Sequence, residues 1–405
     1  MKTVKSLLLG SAAGFVALTG AQAADLPLAE PVEYVKVCST YGEGFFYIPG
    51  TDTCLQISGR VRVEGYISFY DSDTGLAGSA EENDFETRAR GVIGLDARTE
   101  TEWGTLRSYI EYEANSDSEE YNYDDAGFEV ENVASFIQFA GITAGKAPSF
   151  YDYAETSTWA DFWSSEDVWT VAYTASFGSG FSATIGIEDK YYRANPYGYT
   201  VGSDSFGLDQ VWPNVIAALR VDQAWGSAQL SAAVQDNQGD TEDYTTFYPD
   251  VEDELGWGVQ LGAKFNLPIA EEGSYFLIQG AYSEGALSYA GGEEDFTDFS
   301  PGISDQSFNA AGDLENNTLL SVGASVGIQA SETVALALTG AYYDYDSAAP
   351  GDAGDFDGFL VEGNVVWTPV DNLDLGLYAI YGSFEDEADT EFEDLRVITR
   401  LQRDF

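Results

Sequence analysis

The stretch Leu55-Gln56-Ile57-Ser58-Gly59-Arg60-Val61-Arg62-Val63-Glu64-Gly65-Tyr66-Ile67-Ser68-Phe69 decides how the rest of the chain is read. Leu55, Ile57, Val61, Val63, Ile67 and Phe69 occupy alternate positions, with Gly59 and Gly65 in the same parity, while Gln56, Ser58, Arg60, Arg62, Glu64, Tyr66 and Ser68 take the other. A period of two marks an extended strand with one apolar and one polar face, because successive side chains point to opposite sides of the pleat. A soluble sandwich alternates in the same way, but its apolar face must meet a second sheet. Here the pattern recurs to the last residue.

Working outward, further strands are predicted over 84–98, 104–113, 130–139, 142–147, 168–177, 180–189, 213–223, 227–236, 255–266, 274–284, 317–329, 332–343, 357–368, 371–383 and 392–405. Together these make about sixteen, within the range of transmembrane barrels and above what one sandwich usually holds. Their links alternate in length. Phe177-Gly178-Ser179-Gly180, Gln223-Ala224-Trp225-Gly226 and Ala330-Ser331-Glu332 are short, whereas 71–83, 190–212, 237–254 and 285–316 are long and rich in Asp, Glu, Gly and Tyr. An up-and-down barrel with one tight rim and one looped rim has this asymmetry. Trp169, Trp212 and Trp257 fall near the loop ends of their strands and Trp103, Trp225 and Trp367 near the turn ends, as two aromatic girdles would. The expected fold class is therefore all-β, a transmembrane antiparallel up-and-down barrel.

The beginning of the chain agrees. Lys2 and Lys5 precede an apolar run from Leu7 to Leu18 and then Ala21-Gln22-Ala23, which reads as a secretory signal peptide over 1–23, too short for a spanning helix. Residues 24–54 then form a segment on the periplasmic side, and 55–405 the barrel. Cys38 and Cys54 are the only cysteines; in an exported chain they read as a disulfide closing one short loop. Phe405 shares one face of the closing strand with Leu395, Val397, Thr399, Leu401 and Arg403, and an aromatic there suits a signal for the barrel-assembly machinery.

Composition removes most enzyme classes. Without any histidine, a Ser-His-Asp triad, an imidazole base and histidine-bound zinc or iron are excluded. A carboxylate-pair glycosidase survives on composition alone. A net charge of −52 would repel a polyanion, so nucleic acid is not an expected partner. Acidic stretches such as Glu119-Glu120, Glu252-Asp253-Glu254, Glu293-Glu294-Asp295 and Glu385-Asp386-Glu387 are placed in outer loops, where divalent cations or lipopolysaccharide would meet them. None has an ordered ligand spacing such as the EF-hand's, so neither metal nor cofactor is expected, and Gly42-Glu43-Gly44 is no phosphate loop.

Parity places Arg60, Arg62, Arg88, Arg90 and Arg107 on the polar face of the first three strands. A charge in lipid is costly, so these should face a wet lumen. The segment 148–167 combines Asp152, Glu155, Asp161, Glu166 and Asp167 with Tyr151, Tyr153, Trp159, Phe162 and Trp163, and is long enough to fold back inside. Acids would then confront arginines across a constriction, and the field between low-dielectric walls would sort solutes. A plainer role for the arginines is pairing with Glu64, Glu86, Glu111 and Glu113 to keep a polar lumen satisfied. The two roles are compatible.

These residues resemble the alphaproteobacterial porin family, the rhizobial and brucella type. The likeness lies in Pro31-Val32-Glu33-Tyr34-Val35 with Cys38, in Gly44-Phe45-Phe46-Tyr47-Ile48-Pro49-Gly50-Thr51 with Cys54, and in Ile57-Ser58-Gly59. It continues in Thr101-Glu102-Trp103-Gly104-Thr105-Leu106-Arg107, Phe136-Ile137-Gln138-Phe139-Ala140-Gly141, Ser149-Phe150 and Asp222-Gln223-Ala224-Trp225-Gly226. The resemblance implies a homotrimer of sixteen-stranded barrels, each with its own pore and a third outer loop folded into it. On that likeness 148–167 is the constriction loop and the arginine group faces it. The expected function is passive diffusion of small hydrophilic solutes and ions across the outer membrane, with a mild cation preference from the acidic loops. A solute-specific channel with an aromatic track of Tyr151, Tyr153 and Trp163 is the alternative, followed by a plugged surface barrel and, last, an outer-membrane enzyme.

Overall fold

A computed structural model describes residues 36–72, 84–118, 128–153, 156, 158–195, 200–201, 204–205, 212–237, 254–269, 271–291, 303–310, 313–349, 354–386 and 390–405. The signal-peptide segment 1–23, Glu155, and the acidic residues 119–120, 252–253, 293–295 and 387 lie outside this set.

Sixteen strands close into one antiparallel barrel. They are β1 Cys54–Ser72, β2 Asp84–Thr101, β3 Gly104–Asp117, β4 Phe128–Phe139, β5 Ile142–Pro148, β6 Asp167–Gly178, β7 Phe181–Glu188 and β8 Asn214–Gln223. The second half comprises β9 Gly226–Asn237, β10 Glu254–Asn266, β11 Tyr275–Glu284, β12 Thr318–Ser331, β13 Val334–Asp346, β14 Phe356–Val370, β15 Leu373–Asp386 and β16 Glu391–Asp404. Each strand pairs with its neighbour in sequence, and β1 pairs with β16 to close the ring, in a register that sets Arg60 opposite Asp404.

The burial pattern is the reverse of a water-soluble protein's. On β8 and β9 the apolar Val215, Leu219, Leu230 and Val234 are exposed, while Asn214, Gln229, Ser231 and Gln235 are buried. Such an apolar exterior is stable only against lipid, and the buried amides and hydroxyls find partners inside the ring. The six girdle tryptophans, Trp103, Trp169, Trp212, Trp225, Trp257 and Trp367, are all exposed on the exterior.

Strands extend beyond their sequence-based limits at the loop end: β3 runs to Asp117, β13 to Asp346 and β15 to Asp386. Those extra strand residues include Asn115, Asp117, Asp344, Asp346, Glu385 and Asp386, which break the apolar alternation, yet the backbone keeps pairing there. Glu254, Glu385 and Asp386 thus belong to strands and not to loops, and Asp167 opens β6 instead of ending the inward segment.

At the seam, Gly59 and Phe405 exchange both backbone hydrogen bonds at 2.9 Å. A Cβ on Gly59 would stand 2.3 Å from Phe405 Cζ, so the missing side chain is what leaves room for the ring. At the short-turn end the Cys38–Cys54 disulfide spans Cα atoms 5.9 Å apart. The two-residue strand Phe46–Tyr47 pairs with Cys54 and Leu55, and Arg98 stacks 4.9 Å above Phe45.

Candidate functional site

The connection from β5 to β6 turns into the barrel instead of outward. Its first part rests on β9 and β10: the Tyr151 carbonyl accepts from Gln229 (3.0 Å), Ser231 (2.7 Å) and Gln260 (3.0 Å), and the Tyr153 hydroxyl donates to the Ser227 carbonyl at 2.7 Å. Its second part crosses to the opposite wall. There the Glu362 carboxylate of β14 accepts the backbone N–H groups of Trp159 (2.9 Å) and Ala160 (3.0 Å), and Tyr343 of β13 donates to the Phe162 carbonyl at 2.7 Å.

Two features of the wall sequence receive this loop. The inner face of β10 is nearly bare, and a Cβ on Gly262 would stand 2.3 Å from the Tyr153 ring. From β11 to β15, and at Ile398 of β16, the inner face carries apolar side chains among its polar ones, and Leu277, Leu319, Leu360, Ile380 and Ile398 pack with Phe162 and Trp163 into one buried cluster. Apolar side chains inside a wet barrel would be unfavourable bare, and the loop takes their surface out of water.

A buried charged set anchors the loop. Arg193, its side chain 0% exposed, donates to Asp152 at 3.0 Å and to Ser164 at 2.6 Å, lies 3.8 Å from Glu188, and stacks 4.7 Å over Tyr289. Glu188 in turn accepts from Ser149 (2.5 Å) and Tyr289 (3.2 Å), and Asp152 from the Glu166 N–H (2.7 Å). Charges removed from water persist only when paired and hydrogen-bonded, so removing one member would strand the others.

The arginines occupy the wall that the loop leaves uncovered. Arg60 meets Asp404 at 2.9 Å, Arg88 meets Asp117 at 2.7 Å, Arg90 meets Glu113 at 2.8 Å, and Arg107 shares Asp96 with Arg98. Arg62 donates to Gln402 at 2.9 Å, while Glu64 is taken by Arg400 at 2.6 Å. Arg60 and Arg88 keep 42% and 34% of their side chains exposed, so this wall stays open to water. Loop and wall approach each other at Tyr66, whose ring lies 5.7 Å from Trp159 and 5.9 Å from the Arg88 guanidinium.

The structure thus brings the five sequence-predicted arginines together on β1–β3 but matches Arg60, Arg88, Arg90 and Arg107 with carboxylates of the wall. Asp152 is committed to Arg193. Asp161 is exposed on the loop between two fixed neighbours, Ala160 and Phe162, while Glu166 binds through its backbone and Asp167 pairs with Pro148 in the sheet. The expected aromatic track does not line open space: Tyr151, Tyr153 and Trp163 are 0%, 6% and 4% exposed, because their rings hold the loop to the wall. Sequence reasoning passed over Arg193, Glu188 and Glu362. One signal for Arg193 existed, since Lys190 and Arg193 are the only basic residues in any long link.

The sequence profile described as the porin subfamily matches residues 25–402. Porin Omp2b of Brucella neotomae is 31% identical over 320 residues, covering 69% of this chain and 85% of that one. Porin Omp2b of Brucella canis is 36% identical over 240 residues, 55% of this chain and 64% of that one. Among solved structures, the outer membrane channel DcaP of Acinetobacter baumannii aligns with a TM-score of 0.67 at 17% identity, covering 89% of this chain and 99% of that one. OmpF of Salmonella typhi, in complex with daunomycin, aligns with a TM-score of 0.55 at 12% identity, covering 87% and 98%. At those identities the structural likeness speaks for the fold alone.

Proposed function

This chain belongs to the porin subfamily, integral β-barrels of the Gram-negative outer membrane that act as channels and not as enzymes, and from that premise we propose that small hydrophilic solutes and ions cross it passively between the inward loop and the arginine wall. The observation that supports this most is the division of the lumen. The loop covers the apolar cluster on the inner face of β11–β15, and the partly exposed arginines of β1–β3 remain uncovered.

In this reading Arg60, Arg62, Arg88, Arg90 and Arg107 form one side of the constriction and Asp161 the other, while Asp152 acts as an anchor. Because most wall arginines are matched by adjacent carboxylates, their field is short-ranged, and the acidic excess of the chain gives a mild preference for cations. We further place three copies side by side in the membrane. Thr87, Ala89, Gly91 and Ser116 make a patch of small exposed residues on the exterior of β2 and β3 that would let barrels approach closely.

Planar-bilayer conductance across a salt gradient tests the proposal. Ohmic steps in groups of three are expected, with Arg88→Ala moving the reversal potential toward cations and Asp161→Ala toward anions. A correctly folded barrel that passes no current would reject the diffusion reading.

A further inference from the structure

The segment leaving β11 is buried where a connection at the open rim should be wet. Ala286, Leu287, Tyr289 and Ala290 are completely buried, although connecting backbone normally runs over the surface. A single 3-10 turn, Leu287–Ala290, lies against the inward loop. Tyr151 donates to the Tyr289 carbonyl at 2.8 Å, with the two rings edge to face at 4.7 Å. A Cβ on Gly291 would stand 3.2 Å from both the Phe162 carbonyl oxygen and the Trp163 Cα, so the two segments are in backbone contact.

The wall behind is shaped for both. A Cβ on Gly256 would stand 2.1 Å from the Gly285 carbonyl oxygen, and one on Gly258 would stand 2.8 Å from Tyr289 Cβ and 3.5 Å from the Tyr151 hydroxyl. On its far side the Tyr289 hydroxyl accepts from Asn214 at 3.0 Å and donates to Glu188, within the set that fixes Asp152. Asp305 pins the turn. One carboxylate oxygen accepts the Leu287 N–H at 2.8 Å, and the other accepts the Asn195 N–H at 2.9 Å and the Gln235 side chain at 3.0 Å.

We infer that the turn 285–291, held by Asp305, is the positioning element of the constriction: it fixes where the inward loop stands and therefore the width of the diffusion path, so the eyelet is built from two segments and not one. The inference rests on the diffusion reading above. Asp305 and Tyr289 act through the loop, since they bond to Leu287, Asn195 and Gln235 and to Tyr151, Asn214 and Glu188, and to none of the five wall arginines.

The test uses the full chain with Asp305→Ala and Gly258→Val, and with Asp313→Ala, an exposed acid of the same connection, as control. Barrel closure is verified by heat-modifiable mobility in SDS gels. Single-channel conductance, open-channel noise and the size limit for neutral polyethylene glycols are then recorded. Asp305→Ala should raise noise and conductance roughly twofold and admit larger polymers, because a loosened loop widens the path, whereas Gly258→Val, which pushes Tyr289 off the wall, should raise noise while lowering conductance and the size limit; the control should match the parent. Closed barrels of both variants with parental conductance, noise and size limit would overturn the inference while leaving the diffusion reading intact. A folded parent chain that does not conduct would overturn the diffusion reading and the inference with it. Should Asp305→Ala fail to close, Gly258→Ala, which adds one methyl against Tyr289, decides the question by the same readouts.

Discussion

Arg62 stands directly opposite Arg90 across β1 and β2, and the two like charges are relieved unequally: Arg90 meets the Glu113 carboxylate at 2.8 Å, whereas Arg62 meets the neutral Gln402 at 2.9 Å. Cross-strand neighbours of like sign disfavour each other, so this arrangement persists because the lumen is wet and the neighbouring acids are already engaged.

Selectivity should therefore respond to Arg62 differently from its neighbours. Arg62→Gln removes a positive charge whose partner is neutral and should move the reversal potential toward cations. Arg88→Gln combined with Asp117→Asn removes a neutral pair and should leave it in place. If the double substitution shifts the potential as far as the single one, the wall is not organised in compensated pairs.

Glu362 holds the far end of the inward loop through the N–H groups of Trp159 and Ala160 and the side chain of Asn364. Glu362→Gln replaces one acceptor by a donor that faces those N–H groups, a loss of roughly 1–3 kcal/mol at this contact. The barrel should fold as before, while open-channel noise in single-channel records rises. Noise unchanged from the parent would show that the loop does not depend on this carboxylate.

The disulfide should matter for stability and not for conductance. Cys38 and Cys54, 16 residues apart, close a loop worth about 3 kcal/mol in the chain-entropy account. Cys38→Ser with Cys54→Ser should lower the temperature of the gel-mobility transition and leave single-channel steps alone. A transition unaffected by reductant in the parent chain would contradict this.

Burial pushes the Asp305 carboxyl up to about 6 from its ordinary 3.8, against the opposing hydrogen bonds of Leu287, Asn195 and Gln235 and the charge of Lys190. The folded state then holds this proton more tightly than the unfolded one. Its contribution is complete below the unfolded value and is lost as pH rises through about 6, a change of roughly 3 kcal/mol. Amides of 285–291 should be better protected from hydrogen exchange at about pH 4.5 than at about pH 7.5, after correction for the intrinsic rate, and Asp305→Asn should flatten the difference. Equal protection in the parent chain at both values would count against it.

All sixteen strands were legible because period-two alternation follows directly from the pleat, and because lipid outside and water inside keep the two faces chemically distinct. The inner face of β11–β15 was not. Leu277, Leu319 and Leu360 break the polar-inside rule only because another part of the chain covers them, and periodicity does not say which wall a distant loop will touch. The anchor had the same difficulty: Arg193 and Asp152 are 41 residues apart, and Glu362 and Trp159 are 203 apart. Acids on the inward segment suggested partners on the arginine wall, but the nearer, drier guanidinium of Arg193 took Asp152.

The ion pair that closes the ring joins Arg60 to Asp404 across 344 positions of sequence. Before β16 arrives, β1 presents a free row of N–H and C=O groups beside an apolar face, which is a template for any other strand that drifts past. Closure is thus a late event governed by the slowest kind of contact, the one between distant parts of the chain. A chain cut short before its last strand would not give a smaller pore. It would be an open, greasy ribbon in water, and its fate would be aggregation or proteolysis.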